Sequence, residues 1–400
     1  MKSQRNKYGR VIPFACAAAL ALCVSACSND KNADDKKAKA ASQITEEAPE
    51  TGEIKDGIAN YADDAALSKK QLAALINPFF EDDSLSETRA VVIMHGGKIV
   101  AERYADGYGP ESRLISWSMA KTVTATLAGM MVADGRLSLD RAAPVDVWSA
   151  PGDPRGKITL KHLLHMSSGL DHTEMPEGET PIYEVDTTKM LFLGGRDDVA
   201  RYAEGRQLEA QPGKKYEYSS ATSMIIADIM TDILTSSKDP AIRQNAMLTF
   251  AKGRLFEPLG MTSFYPEFDR NGTMLGGSMI HGTPRDWAKL GEFLRNNGSV
   301  GGAQLLPTSW PRFMRTSSNT DAAYGGHIWL NKKRPDGRNQ VLFPDRLESS
   351  IFAMLGHLGQ YVIVAPERKL TIVRMGKTRD DQLAPITAQL GNVVAAFPKD

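Results

Sequence analysis

The sequence predicts an α+β fold: one antiparallel sheet assembled from both ends of the chain, flanked by helices and interrupted by a mostly helical insertion. Three observations lead there. β-prone runs gather near the beginning and the end of the body. Segments with helical spacing fill its middle. Neither an internal repeat nor a second linker divides residues 61–400, so strands far apart in sequence are expected to meet in one sheet within one domain.

The elements follow in chain order. Ala90–Met94 and Ile99–Ala101 are β-prone runs on either side of His95-Gly96-Gly97-Lys98, the composition of a hairpin turn. Met119–Asp134 carries Val123, Leu127, Met130 and Met131 at helical spacing and stops at Gly135. Leu160–Met166 and Ser220–Leu234 read as further helices. Thr283-Pro284-Arg285-Asp286 opens another, with threonine as N-cap, proline in the first turn and a carboxylate at the third position. The pattern then turns to strand at Ile351–Leu355, Gln360–Ala365 and Leu370–Met375, with Pro366-Glu367-Arg368-Lys369 as the turn between the last two. Leu383–Phe397 closes the chain as a helix. The helical insertion so defined spans about residues 156–270.

Composition removes several function classes. Hydrophobic residues at 42% and charged residues at 24% are the balance of a chain that buries a core. Lys+Arg and Asp+Glu both total 48, without the basic excess that a nucleic-acid partner requires. Cys16, Cys23 and Cys27 all lie near the N-terminus, so the body has no disulfide framework, cysteine nucleophile or thiolate metal site. His162, His165 and His172 lack a metal-like partner set, and the spacing of the first two suits helix packing. Neither a metal nor an organic cofactor is expected.

The N-terminus reads as an address. Lys2, Arg5, Lys7 and Arg10 precede the apolar stretch Val11–Val24, which is too short to span a bilayer comfortably. Val24-Ser25-Ala26-Cys27 resembles a bacterial lipobox, giving a lipoprotein signal peptide over residues 1–26 and lipidation at Cys27; the plainer alternative is an ordinary signal peptide cut near Ala26. Removing residues 1–26 takes away four positive charges, leaving 44 basic against 48 acidic side chains. Acyl chains on Cys27 would hold the protein to a membrane, each buried methylene adding about 0.8 kcal/mol. Ser28 after the cysteine resembles the outer-membrane sorting pattern, which places the body in the periplasm. Residues 27–60, rich in Lys, Asp, Glu, Ala and Ser, read as a disordered tether.

Three constellations carry chemistry. In Ser118-Met119-Ala120-Lys121 a serine at the first turn of a helix is followed one turn later by a lysine on the same face. Burial would disfavour the ammonium, lower its pKa and let it take the serine's proton. The spacing alone is weak, for Ser28-Asn29-Asp30-Lys31 repeats it in the tether; only Ser118 follows an aromatic residue and opens an apolar helix. The second constellation is Tyr218-Ser219-Ser220, where an ammonium beside the phenol would stabilise the phenolate and let Tyr218 share the base's work. The other reading is a packed tyrosine before a helix cap. The third is Gly356-His357-Leu358-Gly359, two glycines about a strand end that permit close approach to a ligand. An N–H there, with that of Ser118, would form an oxyanion hole; the bland reading is a glycine bend between strands. Tyr183 and Trp148 are candidate pocket-lining residues, with loop or core packing as the alternative, and Tyr324-Gly325-Gly326-His327-Ile328-Trp329 is either a pocket wall or core.

Together these residues make a family visible. The chain resembles the serine β-lactamase and penicillin-binding-protein superfamily over roughly residues 75–378, in its class C-like esterase and amidase branch. The markers are Ser118 to Lys121, Ile158 to Leu170, Pro212-Gly213 through Tyr218-Ser219, Pro258-Leu259-Gly260-Met261, and Gly276-Gly277 through Asp286. Gly356 to Pro366 is most similar to the 6-aminohexanoate-oligomer hydrolase subgroup. The resemblance implies a β-lactamase/transpeptidase-like fold, Ser118 as acylated nucleophile, Lys121 as its base and Tyr218 as proton relay to the leaving group. Two departures stand out. Ser220 replaces the usual asparagine of the tyrosine motif, with less reach to a substrate amide. The usual Lys-Thr-Gly strand lacks its lysine. In one register Met354-Leu355-Gly356 takes its place and the His357 N–H is the second oxyanion donor; in the other, His357-Leu358-Gly359 does, with the imidazole replacing the ammonium. The expectation is a serine hydrolase acting on small-molecule esters or amides through an acyl-enzyme, and a poor β-lactamase. A D-amino-acid-directed peptidoglycan peptidase and a non-catalytic envelope binding protein are the alternatives.

Overall fold

The computed structural model describes residues 52–54, 57–176, 178–335, 339–379 and 382–400. The signal peptide, Cys27 and the tether up to residue 51 lie outside the described residues. An eight-stranded, wholly antiparallel sheet organises the rest. Its strands are β1 (Gly52–Ile54), β2 (Gly57–Tyr61), β3 (Glu87–His95), β4 (Lys98–Ala105), β5 (Trp329–Leu330), β6 (Phe352–Gly356), β7 (Gln360–Ala365) and β8 (Leu370–Lys377), in the order β1-β2-β4-β3-β8-β7-β6-β5. The N-terminal hairpin and the C-terminal meander therefore meet between β3 and β8, the architecture expected from the distribution of strand signals. The β3–β4 turn is Gly96-Gly97, with φ of +59° and +85°, the positive pair that a two-residue turn needs to follow the strand twist.

The sheet starts earlier than the tether reading allowed. Gly57–Tyr61 pairs with β4 from Gly57↔Ala105 to Tyr61↔Ala101. Its register is secured by Asn60, which donates to the buried Glu102 at 2.8 Å. The charged composition upstream masked a strand whose hydrogen-bonding partner lies some forty residues away.

Alternation along the strands gives the sheet two apolar faces. Val91, Ile93, Ile363 and Ile372 pack under helices α1 (Lys69–Ile76) and α5 (Leu383–Ala396). Val92, Met94, Val362, Val364 and Val373 face the larger helical layer. That layer contains α2 (Ala120–Ala133), α3 (Ser220–Leu234) and α4 (Pro284–Arg295). Every residue of α2 from Ala120 to Met131 is buried, so this helix is enclosed on all sides. At the start of α4 the Thr283 hydroxyl accepts from the Asp286 N–H at 3.2 Å, with Pro284 at the first helical position. Two boundaries differ from expectation. The helix at Leu160 ends at Leu164 because Met166 takes a positive φ of 53°. Ser118 lies in a 3-10 turn, Trp117–Met119, just before α2 rather than in its first α-turn.

Candidate active site

The turn bearing Ser118 is clamped between two strands. Ser116 donates its N–H to the Ile280 carbonyl at 3.0 Å, and its hydroxyl accepts from the Ile280 N–H at 3.3 Å. On the other side Gly356, at the end of β6, comes so close that a Cβ there would sit 2.2 Å from the Ser116 carbonyl oxygen. Between them Trp117 adopts φ of +46°, a left-handed conformation that is costly for an aromatic residue and persists only where the surroundings impose it. It leaves Ser118 half-buried, reachable from outside with Lys121 enclosed beneath it.

Lys121 reaches three oxygens. Its Nζ lies 2.9 Å from Ser118 Oγ, 2.8 Å from Ser220 Oγ and 2.8 Å from the Gly277 carbonyl. Burial lowers its pKa to about 8, against an opposing pull from Glu174, whose carboxylate is 3.9 Å away. The direction is the one that burial of an Ser-x-x-Lys lysine predicts, and it leaves an appreciable neutral fraction near neutrality.

Tyr218 departs from expectation. Burial pushes its hydroxyl well above the ordinary phenol range and the Glu174 charge adds to this, outweighing a hydrogen bond with Ser118. Lys121 faces the ring, 4.8 Å from its centroid, a cation–π contact. This environment runs against a phenolate sharing the base's work: burial and the Glu174 charge favour the neutral phenol. Its ring packs against Tyr324 at 5.7 Å and Trp329 at 5.5 Å, ring centroid to ring centroid.

The structure brings Ser118, Lys121, Tyr218, Ser220 and Gly356 together and leaves other candidates outside this group. Tyr183 sits in the turn Ile182–Glu184 and is 58% exposed. Trp148 is buried and donates to the Glu204 carbonyl. Gly359 belongs to the β6–β7 turn, with φ of +77° and its carbonyl held by Arg374 at 2.8 Å. His357 is exposed, with its ring edge-on to Trp117 at 5.5 Å. Met354-Leu355-Gly356 occupies the strand itself and His357–Gly359 the turn after it. His162, His165 and His172 each have structural partners: a cap on the Thr159 N–H, a stack on Phe313 and the Ala203 carbonyl.

One residue was missed. Glu174 lies in the loop after Leu170, accepting from the Ser220 N–H at 2.6 Å, the Ser220 hydroxyl at 2.7 Å and the Thr187 hydroxyl at 2.6 Å. Ser278 adds a hydroxyl 3.2 Å from Ser220 Oγ. A lone glutamate in an irregular stretch carries no spacing signal and reads as solvated.

Comparison with known proteins places the chain in a family and supports its fold. The family model described as Beta-lactamase matches residues 87–395. A 6-aminohexanoate-dimer hydrolase from Paenarthrobacter ureafaciens is 22% identical over 278 residues, covering 64% of this chain and 68% of the relative. A candidate 6-aminohexanoate-dimer hydrolase from Bacillus anthracis superposes with a TM-score of 0.63 at 21% identity, covering 90% of each chain. EstCE1, a hydrolase with promiscuous acyltransferase activity, superposes at 0.59 and 15% identity, covering 81% of this chain and 97% of its own. At these identities the solved structures establish the fold.

Proposed function

Because the chain belongs to the β-lactamase family, we propose that it is a serine hydrolase that cleaves small-molecule esters or amides through an acyl-enzyme on Ser118. The observation that carries this is the buried Lys121 with its Nζ 2.9 Å from a reachable Ser118 Oγ. Neutral Lys121 takes the Ser118 proton as Oγ bonds to the substrate carbonyl carbon, whose π electrons move onto oxygen. The backbone N–H groups of Ser118 and His357 stabilise that oxyanion. Collapse of the intermediate breaks the bond to the leaving alcohol or amine, which receives a proton from the Tyr218 hydroxyl. Tyr218 is restored from Lys121, and water then hydrolyses the acyl-enzyme by the same relay. Esters and linear amides are favoured over β-lactams because Met354, buried among apolar residues, stands where the resemblance expects a lysine. The relative named as a 6-aminohexanoate-dimer hydrolase supports a hydrolytic activity.

The test is labelling with a fluorescent alkyl phosphonate followed by mapping of the adduct. The label is expected on Ser118 and absent from a folded Ser118→Ala variant; equal labelling of that variant would end the proposal. We also propose that Cys27 is lipidated and tethers the domain to the outer membrane, facing the periplasm. The lipobox-like Val24-Ser25-Ala26-Cys27 supports this. Cys27→Ser should release the protein from the membrane fraction or block its processing, and an unmodified Cys27 in the mature wild type would refute it.

A further inference from the structure

A lysine can act as base only if its lone pair faces the serine, and three oxygens compete for the positions around Lys121 Nζ. The Gly277 carbonyl can only accept, so it claims one N–H. Ser220 Oγ is able to accept or donate, and its choice decides the rest. Its proton is directed to Glu174 Oε1 at 2.7 Å, while its two lone pairs face Lys121 at 2.8 Å and Ser278 at 3.2 Å. With its proton committed, Ser220 must accept from Lys121 and claims the second N–H. The third position of neutral Lys121, the lone pair, is left facing Ser118. Glu174 is itself fixed by the Ser220 N–H and the Thr187 hydroxyl, both at 2.6 Å to Oε2.

We infer that Glu174 is a positioning residue that, by holding the Ser220 proton, aims the Lys121 lone pair at Ser118. This rests on the serine-hydrolase reading above and adds to it a fourth side chain acting without touching the substrate. At 3.9 Å from Lys121 Nζ the carboxylate is too distant for a direct hydrogen bond, so its action passes through Ser220.

Glu174→Gln keeps the shape and reverses the chain. The amide oxygen stays where the Ser220 N–H and Thr187 hydroxyl donate, which turns the NH₂ toward Ser220 Oγ. The Ser220 proton is displaced, and the Lys121 lone pair is a nearer and more basic acceptor than Ser278. The base is then occupied by its neighbour. Phosphonate labelling of Ser118, followed in the wild type, E174Q, S220A and the double variant, reads this out. E174Q should label about tenfold to a hundredfold more slowly than wild type, the range for a buried hydrogen bond that must break first. The double variant should label faster than E174Q, because the hydroxyl that blocks Lys121 is gone; a carboxylate with a merely structural role would make the losses add. E174Q within about threefold of wild type, or a double variant no faster than E174Q, overturns the inference while leaving a labelled wild type intact. An unlabelled wild type overturns the serine-hydrolase reading and the inference with it. Should E174Q fail to fold, S220A decides, because the inference routes Glu174 through the Ser220 hydroxyl. S220A should label at least about threefold more slowly than wild type, and labelling of S220A at the wild-type rate overturns the inference. Where the double variant folds, it is compared with S220A. Without the hydroxyl the glutamine should change labelling by less than about threefold, and a loss of about tenfold or more overturns the inference.

Discussion

Gly356→Ala is a steric test of how the nucleophile turn is held. The added Cβ would lie 2.2 Å from the Ser116 carbonyl oxygen, and real Cβ contacts essentially never fall below 3.0 Å. Neither wall yields easily. Ser116 is hydrogen-bonded to Ile280 through both its N–H and its hydroxyl. Gly356 is paired with Gln360, whose side chain is tied to the His357, Leu358 and Gly376 carbonyls. Gly356 does not adopt a positive φ, so the conformational preference of glycine does not confuse the outcome. The strand must therefore back away from the turn by most of an ångström. A displacement of about 1 Å between reacting groups costs on the order of a hundredfold in rate, and overpacking costs about 1–3 kcal/mol in stability. The assay is kcat/KM on p-nitrophenyl acetate with a thermal melt of the same preparation. We expect kcat/KM to fall by one to two orders of magnitude (about tenfold to a hundredfold) with a lowered Tm. Wild-type kcat with an unchanged Tm would refute the claim that this contact sets the geometry.

Three further outcomes are expected. Lys121 works only when neutral and its pKa is lowered to about 8, so ester kcat/KM should rise with pH along a limb centred near that value and fall about tenfold per unit below it; a flat profile from about pH 6 to about pH 9 (roughly two units below that value to one above) would contradict the assignment of Lys121 as base. His357→Ala should reduce ester turnover by no more than about threefold, since the exposed imidazole lies edge-on to Trp117 and the site uses the backbone N–H; a large loss with a new dependence in the histidine range would favour the imidazole in the lysine's role. Nitrocefin should be a poor substrate beside p-nitrophenyl acetate, because the missing charge-assisted hydrogen bond to the β-lactam carboxylate is worth roughly 1.5–3 kcal/mol; turnover matching that of a dedicated β-lactamase would reverse this.

What the sequence determined by itself is what neighbouring residues decide among themselves. The Gly96-Gly97 turn, the Thr283 cap, the length of Ser220–Leu234 and the one-turn spacing of Ser118 and Lys121 all arise within a few positions of the chain. The strands at both ends and the helical middle were legible for the same reason, and five ordered motifs made the family recognisable. Tertiary structure decided the rest. Gly57–Tyr61 became a strand because β4 offered it a partner. Glu174 joined the site across 46 residues and the Gly277 carbonyl across 156, neither with a local signal. Most plainly, an ammonium beside Tyr218 argued for a lowered phenol pKa, whereas burial and the unforeseen Glu174 raise it. Proton affinity and hydrogen-bond direction depend on solvent exclusion and on every charge within a few ångströms, and those are set by which distant segments the folded chain brings together.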